Sequence, residues 1–280
     1  MKLIYSPCPN DTYIFHALVH HLIPGTPDFD VTYADIDITN GLAMNSESAD
    51  IMKISYAALP WAHKDYVLLP CGGALGRGCG PLVLTKEETN PQNLTGKRIA
   101  VPSERSTAYL LFRLWAAQKV SGEMGEMIVM PFHEIMPAVR DGKVDAGLVI
   151  HEARFTYHEY NLHMLTDLGE WWEEDTGTPI PLGAIIAKRT LDVKSITNWI
   201  RASIYYAMEN PKASLDYILE HAQEMSPEVA KSHIDLYVNE FSLNLGDTGY
   251  AAIEFLLGRA MEAELIPTMD LTDLRWGNGK

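Results

Sequence analysis

Cysteine is scarce: three residues, Cys8, Cys71 and Cys79, in a chain of 280. An odd number without paired spacing argues against a disulfide framework, and without any C-x-x-C a structural zinc site is not expected. Basic residues are also short. Twenty-two Lys and Arg stand against 37 Asp and Glu, a formal net charge of −15. No basic block offsets the repulsion from phosphate, so nucleic acid is not expected as a partner. No apolar run approaches the roughly 18 residues that a membrane span needs. The first residues, Met-Lys and then an apolar strand pattern, carry neither the charged region nor the apolar core of a secretory leader. The expectation is a cytoplasmic protein, away from membranes, with no partner protein evident. Nucleotide-binding fingerprints are missing too. The loop "GGALGRGCG" has five glycines in nine residues. It has neither the G-x-x-x-x-G-K-[ST] pattern nor the strand–G-x-G-x-x-G–helix setting. Its glycines suit a tight crossing or a close backbone approach.

What is present is an alternation of short apolar runs and helical periods. Lys2–Tyr5 reads as a strand, Ser6–Asp11 as a polar turn and Thr12–Leu22 as a helix, with Asn10, Asp11 and Thr12 all of N-cap type. "KRIAVPSERSTAYLLFRLWAA" repeats that layout, with a strand, a turn and a helix from Thr107. Lys2, Ile4, Pro7 and Thr12 match Lys97, Ile99, Pro102 and Thr107 at a constant offset of 95, and Asp50 matches Asp145. Two similarly built α/β lobes are therefore expected, with mainly parallel sheets. The pattern after "IPLGAIIAKRTL" is almost wholly helical, and those C-terminal helices are expected to pack on the first lobe. The predicted division is 1–84 with 186–280 as one lobe and 85–185 as the other, around a ligand cleft.

In open α/β sheets, ligands bind beyond the carboxyl ends of strands. Four polar groups fall there: the turn Pro7–Thr12, Ser55-Tyr56, Ser106-Thr107-Ala108 and His151. Two helix starts with free N–H groups would suit an anion such as a carboxylate. The plainer reading is that Asn10, Thr12 and Thr107 only cap helices and that Ser55 only ends a strand. His151 directly follows an apolar strand run and precedes Glu152 and Arg154, a poor place for core packing. Histidine titrates near neutrality, which suits a general base; a ligand-holding role without chemistry is the alternative. His16 and His20 lie four apart on a helix, lack a third ligand and read as a surface pair, so no metal is expected.

The motifs "SPCPNDTYIFHAL", "KISYAAL", "GALGRGCGPLVL", "STAYLLFRL", "IHEARFTY" and "IPLGAIIAKR" resemble those of the 1,4-dihydroxy-6-naphthoate synthases, lyases of menaquinone biosynthesis by the futalosine pathway. The resemblance spans roughly the whole chain and keeps the motif order. It implies a two-lobed type II periplasmic-binding-protein fold and conversion of cyclic dehypoxanthine futalosine to 1,4-dihydroxy-6-naphthoate, with no cofactor. It places the catalytic base at His151 and substrate contacts at Lys53, Ile54, Ser55, Thr107 and Ala108. Asn10, Thr12 and Arg77 are further candidates for holding an aromatic carboxylate substrate. A solute-binding protein of the same fold and the sibling chorismate dehydratase are the alternatives.

Overall fold

The computed structural model describes residues 1–45, 49–151, 153–222 and 226–275. The chain forms two compact units, Met1–Gly76 with Pro181–Lys280, and Arg77–Ile180. The divisions fall earlier than the expected 84/85 and 185/186. The reason is that Leu82–Thr85 is wholly a strand of the second unit's sheet, and Ile180–Lys188 is a strand of the first unit's. An apolar run announces a strand but not which sheet receives it.

The first unit's sheet uses β1 (Lys2–Tyr5), β2 (Asp30–Tyr33), β3 (Ile51–Ser55), β4 (Tyr66–Leu68), β5 (Ala74–Gly76) and β11 (Ile180–Lys188). Its order is β2-β1-β3-β11-β4, with β5 also on β11. The second unit's sheet uses β6 (Leu82–Thr85), β7 (Ile99–Val101), β8 (Met127–Val129), β9 (Ala146–Val149) and β10 (His163–Asp167), in the order β10-β6-β9-β7-β8. The two orders are one pattern. In each, three parallel strands are followed by an antiparallel fourth: β11 against β3, and β6 against β9. The central strands β3 and β9 are buried at every residue, as expected when both faces of a sheet are covered.

The two units share a local clasp, but it matches Lys2 to Arg98 and not to Lys97, so the first strands of the repeat are related by 96 residues and only Asp50 and Asp145 by 95. The starts of β1 and β3 in the first unit, and of β7 and β9 in the second, are joined by it in the same way. The Lys2 N–H donates to Asp50 Oδ2 at 2.9 Å, and the Arg98 N–H donates to Asp145 Oδ2 at 2.9 Å. In return the Asp50 and Asp145 N–H groups donate to the carbonyls of Lys2 and Arg98. Burial pushes the Asp50 carboxyl up, but the Lys2 amide and the Lys188 ammonium more than offset it. The Arg98 amide and guanidinium hold the Asp145 carboxyl down against the opposing effect of burial. Both groups therefore sit below the usual carboxylate range in the folded protein. Their contribution is present above the ordinary carboxylate pKa and is lost as pH falls through the folded value. Asp50→Asn and Asp145→Asn are each expected to lower stability by about 1 kcal/mol near neutrality. That gap from wild type should close as pH drops below about 4; thermal unfolding across pH that shows a constant gap would contradict this.

The C-terminal helices complete the first unit. Ile196, Ile200 and Ile204 of helix Val193–Glu209 pack with Leu3, Tyr5, Ile14, Phe15, Leu18, Ile51 and Ile185 in one buried cluster. Ser203 in the same stripe donates to the Ile14 carbonyl at 2.6 Å and accepts from the Leu18 N–H at 3.1 Å. Its hydroxyl thus sits inside the hydrogen-bond ladder of helix Pro9–Val19, which fixes the register of the two helices. Among the described residues, no helix is long and apolar enough to cross a membrane.

Candidate active site

In each unit the two adjacent parallel strands bring their carboxyl ends to one edge of the sheet. In the second unit β7 pairs with β9 through Ile99↔Ala146 and Ala100↔Gly147. The helix start after β7 and His151 after β9 therefore share that edge. Helix Thr107–Lys119 begins with Ser106, not Thr107, as its N-cap. The Ser106 Oγ accepts from the Tyr109 N–H at 3.2 Å and donates to the Ser103 carbonyl at 3.1 Å. With the cap supplied by Ser106, Thr107 and Ala108 become the first two helical residues. They lie at the end of the helix that carries its partial positive charge.

His151 adopts φ 58°, the left-handed region that few non-glycine residues enter. Its Nε2 is buried, and its ring lies edge-on to Phe132 with centroids 5.3 Å apart. Glu152 lies outside the described residues. The turn that follows is anchored by Arg154. Its Nη2 meets Asp167 Oδ2 at 2.6 Å, and its Nη1 donates to the Gly80 carbonyl at 2.7 Å. Asp167 Oδ1 in turn accepts from the Gly169 and Glu170 N–H groups, capping helix Leu168–Thr176. Gly80 and Gly169 touch through their backbones; a Cβ on Gly80 would come within 2.0 Å of the Gly169 nitrogen. The glycine-rich loop is thus built for close packing on this helix. Arg77 belongs to the same junction. It donates to Glu173 Oε2 at 3.1 Å and to the Gly177 carbonyl at 3.0 Å, and it is exposed.

In the first unit β1 pairs with β3, so the opening turn and Lys53–Ser55 share an edge. The turn is not capped by Asn10, Asp11 or Thr12. The helix starts at Pro9 with Cys8 as N-cap, because proline at the first position needs no amide partner and already has a helical φ. That shift places Asn10, Asp11 and Thr12 inside the first turn. Thr12 is fully buried, its hydroxyl donating to the Cys8 and Pro9 carbonyls. Asp11 instead reaches across to Lys53, with Oδ1 and Nζ 2.6 Å apart and both side chains buried. Ser55 is held by Asn40, whose Nδ2 donates to Ser55 Oγ at 3.0 Å and whose Oδ1 accepts from the Ser55 N–H at 2.7 Å. Ile54 is buried and pairs with Ala184 of β11. His16 is not a surface residue as expected but buried against Tyr217, and burial holds its imidazole below the usual histidine range. Asn40, Arg154 and Asp167 are residues that sequence reasoning did not assign to the site, and Asp11 reads in the sequence as part of the opening turn, without its Lys53 partner.

A family model described as menaquinone biosynthesis matches residues 1–262. The chain belongs to this menaquinone-biosynthesis family. A 1,4-dihydroxy-6-naphtoate synthase of Streptomyces coelicolor is 62% identical over 272 residues, 96% of this chain and 95% of that protein. A synthase of the same name from Thermus thermophilus is 43% identical over 263 residues, 93% of each. A crystal structure of an Archaeoglobus fulgidus protein superposes with a TM-score of 0.87 at 34% identity, covering 95% of this chain and 98% of that one. The periplasmic aliphatic sulphonate-binding protein of Escherichia coli gives 0.68 at 14% identity, covering 99% and 91%, a likeness of fold alone. The menaquinone-biosynthesis chain therefore has the periplasmic-binding-protein-like fold.

Among the described residues, no three His, Cys, Asp or Glu side chains are grouped to hold a metal ion. Burial pushes the Cys71 and Cys79 thiols up to about 12, so neither offers a thiolate near neutral pH.

Proposed function

We propose that the protein is a carbon–carbon lyase that converts cyclic dehypoxanthine futalosine to 1,4-dihydroxy-6-naphthoate, with His151 as general base. The observation that carries this reading is the placement of His151. It is a non-glycine residue in a left-handed turn, at the sheet edge where helix Thr107–Lys119 also starts. Strained conformations of this kind persist where the surroundings enforce them, and they concentrate at functional sites. The synthase names of the relatives support the product. The base removes a proton from the sugar-derived part of the substrate; departure of that fragment is then driven by formation of the aromatic naphthoate.

Substrate contacts are proposed for the Thr107 and Ala108 N–H groups in the second unit and for Lys53, Ile54 and Ser55 in the first. The test is incubation with the cyclic substrate, with and without EDTA, followed by chromatographic detection of dihydroxynaphthoate. Product is expected in both arms. No product in either arm, together with tight binding of some other solute, would favour a binding protein of the same fold.

Thr107 offers a sharper probe. Proline is well tolerated at the first position of a helix. Ser106, at φ −84° and ψ 153°, already has the extended conformation that a following proline imposes. Thr107→Pro should therefore keep the helix and remove one N–H. A charge-assisted hydrogen bond contributes about 1.5–3 kcal/mol, so KM should rise at least tenfold, whereas Thr107→Ser should change it little. Equal KM values for the two variants would remove this helix start from the site.

A further inference from the structure

One buried polar chain in the first unit is used by the mechanism above only at its Lys53 end. His233 Nε2, on helix Pro227–Tyr237, lies 3.0 Å from Asn10 Oδ1 and is the donor in that bond. Asn10 Nδ2 donates to Asp11 Oδ1 at 2.9 Å, and Lys53 Nζ donates to the same oxygen at 2.6 Å. Ser6 Oγ donates to Asp11 Oδ2 at 2.7 Å. All five side chains are buried. The only other acceptor of Lys53 among the described residues is the Gly72 carbonyl, at 3.5 Å. Three ammonium protons thus meet one short and one long bond. β11 makes room for the side chain with Gly183, where a Cβ would come within 2.7 Å of Lys53 Cε.

A buried ion pair is a poor way to stabilise a core, since apolar residues of similar volume do as well or better. Its retention here asks for another use. Lys53 lies two residues from Ser55 and so on the same face of β3. We propose that Asp11 is a positioning residue, which keeps Lys53 charged and fixed so that the remaining ammonium proton meets an oxygen of the substrate. Ser6, and Asn10 backed by His233, hold Asp11 in turn. Asn10 on this view acts through Asp11 and does not touch substrate. The inference rests on the function proposed above.

The titratable groups that the hydrogen bonds link to Lys53 are Asp11 and, through Asn10, His233; β11 faces it with Ile185 in register and with Gly183 against Cε, and the turn after β4 offers the Gly72 carbonyl. Asp11→Asn keeps the shape and an acceptor but removes the countercharge, and a buried amine without one sheds its proton more readily. The measurement is KM for the cyclic substrate, as the ratio of variant to wild type, at about pH 6.5 and about pH 9. The ratio should be at least tenfold at the higher pH and smaller at the lower. A ratio raised equally at both pH values would mark a merely structural residue and overturn the proposal, as would a ratio of one throughout.

In a Lys53→Met background, Asp11→Asn should add no further rise in KM; an additive rise would overturn it. Should the single Asp11 variant fail to fold, the double variant Lys53→Met with Asp11→Leu carries neither charge. It should match Lys53→Met alone, and a higher KM would count against the proposal. Wild type without turnover would instead sink the function itself, so the two failures are distinct.

Discussion

Replacing His151 by asparagine is expected to lower turnover by about 10²–10⁴, the usual contribution of a positioned base, with KM within roughly tenfold of wild type. Asparagine is the informative choice because it enters the left-handed region more readily than most residues. The turn at φ 58° is then kept and only the imidazole is lost. His151→Gly should give the same loss of turnover with stability retained or raised, since glycine relieves the backbone strain. A variant with near-normal turnover and much weaker substrate binding would make His151 a binding residue, and the base would have to lie elsewhere.

The second large effect concerns the support under that turn. Asp167→Ala should destabilise the protein by about 3–5 kcal/mol, the cost of stranding one partner of a buried pair. Asp167 is 2% exposed and Arg154 19%. The substitution also uncaps helix Leu168–Thr176, whose first N–H groups are bonded to the same carboxylate. Melting temperature should fall by on the order of 10 °C. Turnover of the folded fraction should fall as well, because Arg154 is three residues from His151 and holds the turn to the Gly80 carbonyl. Asp167→Asn keeps an acceptor for the cap and should fall between the two. A melting temperature within about 2 °C of wild type would show that the pair does not anchor the turn.

The strands and the doubled layout were legible because they rest on short-range patterns. "KLIY", "IMKIS" and "AGLVI" are apolar runs bounded by turns, and Asp50 and Asp145 open matching strands. Helix starts were less legible. Asn10, Asp11, Thr12 and Thr107 all have cap chemistry, yet Pro9 and Ser106 pre-empt them. The supports of the site were hidden because their partners are distant in sequence: Asn40 for Ser55, Asp167 for Arg154, His233 for Asn10. A further support, Asp11 for Lys53, did leave a trace. Lys53 is the only charge in "IMKIS", and a lysine inside a strand buried on both faces requires a buried anion somewhere. The left-handed turn at His151 left none, since histidine does not announce it as glycine would.

The position of β11 has a consequence for how the chain is made. All five strands of the second unit's sheet lie within one uninterrupted stretch, from Leu82 to Asp167. They can pair as soon as that stretch has left the ribosome. The first unit's β3 emerges much earlier, but its neighbour β11 spans Ile180–Lys188. Until those residues are synthesised, one edge of β3 stays open, the condition under which a nascent strand recruits the wrong partner. The lobe begun first is therefore finished last, and a message cut short before codon 180 would encode a whole sheet for the second unit and only part of one for the first.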